Sequence, residues 1–173
     1  DQAIHYYWEN DRVYMNEDSR QMFNNISNIV NIDLSGLDSR YVKDMSFMFN
    51  SARSVENLDL SNLNTSRVTS MMNMFAYMSS LKNLNISNFN TKKVKDFSRM
   101  FTNNAALTSL NLSNFDTSDA ENMNNMFSGS SSLTSLDLSH FDTSKVTGMQ
   151  GMFYNCTNLT SLNISNFDTS KVT

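Results

Sequence analysis

The dipeptide Met-Phe recurs along the chain at a constant interval, and this interval constrains the fold more than any other feature. Consecutive pairs lie 26 residues apart without insertion or deletion. The pairs are Met22-Phe23, Met48-Phe49, Met74-Phe75, Met100-Phe101, Met126-Phe127 and Met152-Phe153. A period this strict predicts an array of one supersecondary unit that stacks on its neighbours. We number the units coil 1 to coil 6 after these pairs.

A second apolar frame, L-x-x-L-x-L, follows each Met-Phe pair. Residues 133–138 show it as Leu-Thr-Ser-Leu-Asp-Leu. Its last three positions alternate apolar, polar and apolar, which predicts a strand with one buried face. The same frame is the strand segment of leucine-rich repeats, so the sequence predicts one parallel strand in each coil.

A polar turn and a short helix are predicted after each strand. The turn at residues 113–117, Ser-Asn-Phe-Asp-Thr, ends in residues that are typical of a helix N-cap. The spacing of Val42, Met45 and Met48 then fits one face of a helix. The predicted fold is an α/β repeat solenoid: a right-handed, leucine-rich-repeat-like stack with one parallel strand and one short helix per coil. The recurring hydroxyls are interpreted as caps: Ser39, Thr65, Thr91, Thr117, Thr143 and Thr169.

Composition and motifs argue against several classes of function. A net charge of −4 disfavours a nucleic-acid binder, and the single Cys156 excludes an internal disulfide. No apolar run reaches the ~20 residues that a membrane helix needs. Ser139, His140 and Asp142 lie too close together in one turn to adopt the geometry of a catalytic triad. We therefore expect neither catalysis nor a cofactor.

Residues 133–153, LTSLDLSHFDTSKVTGMQGMF, closely resemble the BspA-like leucine-rich repeats of bacterial surface proteins. The resemblance covers residues 22–173, with Leu63 in place of Phe and Ala120 in place of Val as small departures. It implies a secreted or cell-wall-attached, extracellular and non-enzymatic adhesion module. Its expected partner is a host or neighbouring-cell protein or glycan, and a monomer is expected. The chain stops within a repeat, which suggests a fragment of a longer protein.

The solvent-facing positions of the predicted strands form in-register columns of small polar residues. We take these columns as the candidate ligand-binding surface, since amides donate and accept hydrogen bonds with hydroxyl groups and carboxylates accept them. The candidate residues are Asn31, Asp33, Asn57, Asp59, Asn83, Asn85, Asn111, Asp137 and Asn163. Two alternatives remain open: the columns bond to one another and keep the sheet soluble, or their Asp members bind Ca²⁺.

Other interpretations concern the chain start and the repeat array as a whole. Residues 1–21 lack the regular pattern and are predicted to form an N-terminal cap. This stretch contains a set of aromatic residues that either belong to the cap or form a binding surface for sugar or peptide: His5, Tyr6, Tyr7, Trp8 and Tyr14. The methionine stripe is predicted to be core. Basic residues cluster around the predicted helix starts and are interpreted as a solvated face, with contacts to anionic glycans as the alternative: Arg67, Lys92, Lys93, Lys95, Arg99, Lys145 and Lys171. The alternative to an adhesion module is a structural stalk or spacer.

Overall fold

The computed structural model describes residues 13–173, and the described chain consists of short strands and turns. The strands are β1 Val13–Tyr14, β2 Leu37–Asp38, β3 Asn57–Asp59, β4 Asn83–Asn85, β5 Ser135–Asp137 and β6 Ser161–Asn163. They form three parallel pairs, β1–β2, β3–β4 and β5–β6. Residues 13–173 contain no helix, and therefore none that is suited to cross a membrane. The prediction of an α/β solenoid with one helix per coil was wrong.

The segment around each Met-Phe pair, here called the Met-Phe segment (residues 45–52 in coil 2), replaces the predicted helix. Its alternate backbone N–H groups donate to the next coil: Met45 N to Ser70 O at 3.1 Å, and Phe47 N to Met72 O at 2.8 Å. The N–H groups between them close turns within the coil, as Met48 N does to Met45 O at 3.2 Å. An α-helix would direct all these N–H groups to carbonyls four residues earlier in the same coil.

Backbone dihedral angles give the second reason why this segment is not helical. Two positions in each coil have φ near +60°, in the left-handed region, whereas an α-helix needs φ near −63° at every residue. These positions are Gln21, Asn25, Phe47, Ser51, Asn73, Tyr77, Arg99, Asn103, Asn125, Gly129, Gly151 and Asn155. The two left-handed residues of each coil lie four positions apart, so no α-helix can run through the Met-Phe segment.

The apolar side chains expected on the helix face are nevertheless buried. Val42, Met45, Met48 and Phe49 are each 0% exposed. The phenylalanines of the Met-Phe pairs stack from coil 1 to coil 6, with ring centroids 5.3–5.8 Å apart and interplanar angles of 2–14°. The prediction that the methionine stripe is core is confirmed for the buried methionines of the inner coils. The repeat period therefore predicted which side chains are buried, although the predicted helical backbone was wrong.

The strand side of the coils is less regular than predicted. Asn57 pairs with Asn83 and Ser135 with Ser161, both at the 26-residue interval. Coils 1 and 4 have no strand at residues 31–34 or 109–112. Val13 pairs instead with Leu37, which departs from the interval by two residues. The assignment of residues 1–21 to a cap stays a prediction, and His5, Tyr6, Tyr7 and Trp8 lie outside the described residues.

The hydroxyl column interpreted as helix caps has a different role. Thr91 Oγ1 donates to Asp116 O at 2.9 Å and accepts from Asp116 N at 2.8 Å. The same pattern joins Thr65 to Asn90 and Thr143 to Asp168. These hydroxyls are buried, so each one gives a backbone donor and a backbone acceptor of the next coil a partner from inside the stack.

One buried polar group lies at the junction of coils 3 and 4. Asn104 is 0% exposed, and its Oδ1 accepts from Met78 N at 3.1 Å. Its Nδ2 has no hydrogen-bond partner among the described residues. In coils 2, 5 and 6 the N–H at the position of Met78 bonds within its own coil, as Ala52 N does to Phe49 O at 3.1 Å. The Asn104 side chain therefore accepts the Met78 N–H, in place of the backbone carbonyl that closes a turn at this position in those coils.

Candidate binding surface

All nine candidate residues of the polar columns are exposed, in accordance with the predicted outward orientation. Six of them share a local task, because a side-chain Oδ1 accepts the backbone N–H of the serine two residues later at 2.9–3.2 Å. These six are Asp33, Asp59, Asn85, Asn111, Asp137 and Asn163. Such Asx turns end the strand segment and commit one oxygen of each side chain to the fold.

The columns also bond to one another between neighbouring coils. Asn83 Nδ2 donates to Asn57 Oδ1 at 2.6 Å, and Asn85 Nδ2 donates to Asp59 Oδ1 at 3.0 Å. The alternative in which the columns bond to one another is therefore confirmed for these two pairs. Whether the same surface also binds a ligand stays a prediction.

Two carboxylates on this face, Asp59 and Asp137, are held in their charged form. The backbone N–H of Ser61 lowers the pKa of Asp59, and the Ser139 hydroxyl followed by its backbone N–H lowers the pKa of Asp137. Hydrogen bonds to the ionised form cause both shifts. Among residues 13–173, no group of three or more His, Cys, Asp and Glu side chains is placed to hold a metal ion. The Ca²⁺ alternative therefore has no ligand cluster in this part of the chain.

The structure does not bring Ser139, His140 and Asp142 together as a triad. His140 Nε2 lies 3.0 Å from Leu112 O, and its ring packs edge-on against Phe141. Asp142 Oδ1 accepts from Ser144 N at 2.9 Å. His140 thus contacts the preceding coil and Asp142 stabilises its own turn, so the two side chains are not joined as in a triad.

Sequence reasoning missed a polar groove of about 470 Å³ on the face opposite the strands. Its lining residues are Lys95, Asp96, Glu121, Asn122, Asn124, Thr147, Gly148, Gln150 and Thr173. A Cβ at position 148 would lie 2.7 Å from Asn124 Nδ2 and 2.9 Å from Asn122 Oδ1, so the glycine makes room for both amides. The available signal was Gly148 itself, because the equivalent residues of the preceding coils are Asn122 and Asp96.

A second feature of the surface is the turn edge, the row of tetrapeptides that follow the inward-pointing Phe or Leu of each coil. It comprises residues 38–41, 64–67, 90–93, 116–119, 142–145 and 168–171. The guanidinium of Arg40 lies 5.7 Å from the Tyr14 ring centroid, and that of Arg67 lies 5.5 Å from the Tyr41 centroid. Arg67 belongs to the basic set that the sequence indicated, but no helix begins beside that set within residues 13–173.

The family model described as "Mycoplasma protein of unknown function, DUF285" matches residues 17–133 and residues 79–173. The two overlapping matches together span residues 17–173, which include the whole repeat array. No curated protein and no solved structure matches the chain significantly.

Proposed function

We propose that this chain, which belongs to the DUF285 family, is a non-enzymatic, extracellular interaction module of a bacterial surface. Its repeat array presents polar side chains in register to a host or neighbouring-cell protein or glycan. The closer resemblance to BspA-like surface repeats, carried by the S-x-F-D-T-S-x-V-x-x-M-x-x-M-F run, supports this proposal and its adhesive character.

One observation carries the proposal: the nine polar candidates are exposed on a scaffold that fixes their spacing. Asn57 and Asn83 face each other across β3–β4 in a 26-residue register, and Asp59 and Asn85 do so two residues later. Parallel neighbours lie ~4.8 Å apart, so donors and acceptors repeat at a fixed interval along the stack. A ligand with several hydroxyl or amide groups meets many such partners at once, with little side-chain freedom left to lose.

The alternative is a structural stalk, and a specific observation favours it. Ion pairs join residues one coil apart. Lys82 Nζ lies 2.9 Å from Glu56 Oε2, and Lys95 Nζ lies 2.7 Å from Glu121 Oε1. Together with the amide ladder, these pairs direct polar groups of the surface toward neighbouring coils. A spacer needs such contacts and needs no ligand.

A binding screen with matched variants distinguishes the two functions. The chain is applied to a glycan array and to a panel of host matrix proteins, and any partner is tested against Asn57→Ser with Asn83→Ser. Serine occupies the equivalent positions 109 and 135, and neither asparagine holds an Asx turn, so the fold is preserved. The control is Thr108→Ser with Thr134→Ser, which changes exposed residues one position earlier in coils 4 and 5.

The adhesion proposal expects at least one partner and weaker binding by the asparagine variant than by the control. Equal binding by both variants would exclude the strand face as the binding surface. Complete absence of partners, while a longer form of the protein binds them, would favour the stalk.

A further inference from the structure

The turn edge differs in charge between its two halves although its backbone is the same throughout. In coils 2 and 3 the tetrapeptides are Asn64-Thr-Ser-Arg67 and Asn90-Thr-Lys-Lys93, which contain three cations and no carboxylate. In coils 4 to 6 they are DTSD, DTSK and DTSK, with four carboxylates and two lysines. In a chain of net charge −4, these two tetrapeptides of one edge thus carry three positive charges and no negative one.

Local hydrogen bonding makes the edge of coils 2 and 3 a surface of donors. Asn64 Oδ1 accepts from Ser66 N at 3.0 Å, and Asn90 Oδ1 accepts from Lys92 N at 3.2 Å. The turns therefore use the amide oxygens, and the two Nδ2 groups donate no hydrogen bond to any residue within 13–173. In coils 4 to 6 an aspartate makes the same turn, and its second oxygen is an acceptor.

The acids near this donor surface have partners of their own. Asp38 accepts two hydrogen bonds from the Arg40 guanidinium and one from its backbone N–H, and Glu17 pairs with Lys43 Nζ at 2.8 Å. Asp116 of coil 4 has a lowered pKa chiefly because the Ser118 hydroxyl and N–H bond to it, with a smaller effect of the Lys92 charge. Arg67 lies over the ring of Tyr41, while the side chains of Lys92 and Lys93 are exposed. In coil 5, by contrast, Lys145 Nζ pairs with Asp119 at 2.6 Å.

We propose that the turn edge of coils 2 and 3, formed by Asn64, Arg67, Asn90, Lys92 and Lys93, binds a sulfated or carboxylated glycan. Sulfate and carboxylate oxygens are pure acceptors, which complement a surface of donors and cations. The exposed Asn62 and Asn88 come two residues before the two tetrapeptides and suit sugar hydroxyls. The exposed ring of Tyr41, beneath the Arg67 guanidinium, offers an aromatic face to a sugar ring. This inference deepens the proposed surface function and rests on it.

The test compares dextran sulfate, carboxymethyl dextran and neutral dextran, which share one backbone. The complete chain should bind the two charged polymers and not the neutral one, and binding should weaken as salt shortens the range of exposed charges. Arg67→Gln with Lys93→Gln should bind about fivefold to tenfold more weakly, the size expected for two exposed ion pairs. Lys145→Gln with Lys171→Gln removes the same charge from the same column and should have little effect.

A second pair of variants converts one half of the edge into the other while it keeps every Asx turn. Asn64→Asp with Asn90→Asp should abolish most of the binding, and Asp116→Asn with Asp142→Asn should strengthen it. Equal losses for the two glutamine double variants would overturn the inference, as would equal binding of neutral dextran. Tighter binding to polyglutamate or to anionic lipid vesicles than to either charged dextran would also overturn the assignment to a glycan. If these results fail while the Asn57 and Asn83 variant still loses a partner, the inference fails and the proposed function stands.

Discussion

The two long sides of each coil join the stack in different ways. In the Met-Phe segment, four backbone N–H groups per junction donate to the next coil at 2.7–3.1 Å, and this pattern is unbroken from coil 1 to coil 6. On the strand side, only coils 2 and 3 and coils 5 and 6 are joined by named strand pairs with the 26-residue register. The side whose sequence suggested a helix therefore supplies the continuous backbone ladder.

This difference shows how a turn-rich segment can replace a sheet. Left-handed residues at two positions per coil rotate alternate N–H groups toward the neighbouring coil, while the intervening ones close turns. Every coil then meets its backbone hydrogen-bonding requirement partly within itself and partly through its neighbour. The stacked phenylalanines lie directly beneath this ladder, so packing and hydrogen bonding support the same register.

The comparison predicts that side-chain loss is most costly beneath the Met-Phe segment. Phe75 is 0% exposed and stacks between Phe49 and Phe101, so Phe75→Ala should lower the free energy of unfolding by about 3–5 kcal/mol. Leu84→Ala, at a half-buried position of β4 in the same coil, should cost about 1–2 kcal/mol. Urea unfolding followed by circular dichroism measures both. A larger cost for Leu84→Ala would reverse the proposed order of the two sides.

The hydroxyl column between the two sides gives the next largest effect. Thr91→Val leaves Asp116 N and Asp116 O without their partner in a buried site, which should cost roughly 2–4 kcal/mol. Thr91→Ser keeps the hydroxyl, as Ser39 does in coil 1, and should cost about 1 kcal/mol or less for the lost methyl group. Equal losses in urea unfolding would mean that the methyl group, and not the bridge, matters.

Asn104 offers a change in the opposite direction. Asn104→Ser should raise the free energy of unfolding by about 1 kcal/mol, because it removes a buried amide donor that has no partner among the described residues. Ser130 shows that a hydroxyl fits at this position, where its Oγ donates to Phe101 O at 2.6 Å. Asn104→Ala is the matched control, since Ala52 occupies the position in coil 2. Marked destabilisation by both variants would show that the bond from Met78 N is needed.

The left-handed positions test the backbone of the Met-Phe segment directly. Arg99 has φ of 55°, and the equivalent residue of coil 6 is Gly151, with φ of 62°. Arg99→Gly should stabilise the protein by about 1 kcal/mol, because glycine adopts this conformation without steric cost. The exposed Thr108 on the strand side has no such conformation, so Thr108→Gly should destabilise by about 0.5–1 kcal/mol. Thermal unfolding of the two variants should shift in opposite directions.

The sequence predicted the repeat, its register and the buried columns, but it did not predict the backbone between them. Val42, Met45 and Met48 are buried as expected, because a spacing of three also brings side chains inward in a succession of turns. The Phe47 N–H bonds to Met72 O in the next coil and not to a carbonyl of its own coil, which rules out a helix there. A local sequence pattern cannot show a bond between residues 25 positions apart. For the site, the outward orientation of Asp59 was predictable from alternation. Its Asx turn was also visible in principle, as the spacing from Asp59 to Ser61.

The smallest predicted effect concerns pH, and it separates the turns of the edge from the Met-Phe ladder. The Ser118 and Ser144 hydroxyls, followed by their backbone N–H groups, lower the pKa of Asp116 and Asp142 respectively, whereas the ladder uses peptide groups that do not titrate. A folded-state pKa below the unfolded value, ~3.9 for aspartate, gives stability that is present above the unfolded pKa and is lost as the pH falls through the folded pKa.

Asp116→Asn with Asp142→Asn should therefore show a smaller loss of thermal stability between about pH 6 and about pH 2.5 than the unchanged chain. Asparagine keeps the turn, as Asn64 and Asn90 do, but has no proton to bind. Asn64→Asp with Asn90→Asp should show a larger loss over the same range, because it adds two carboxylates whose ionised form the turns favour. Identical pH profiles for all three proteins would place the acid sensitivity elsewhere and would show that the turns at both ends of the edge respond alike to protonation.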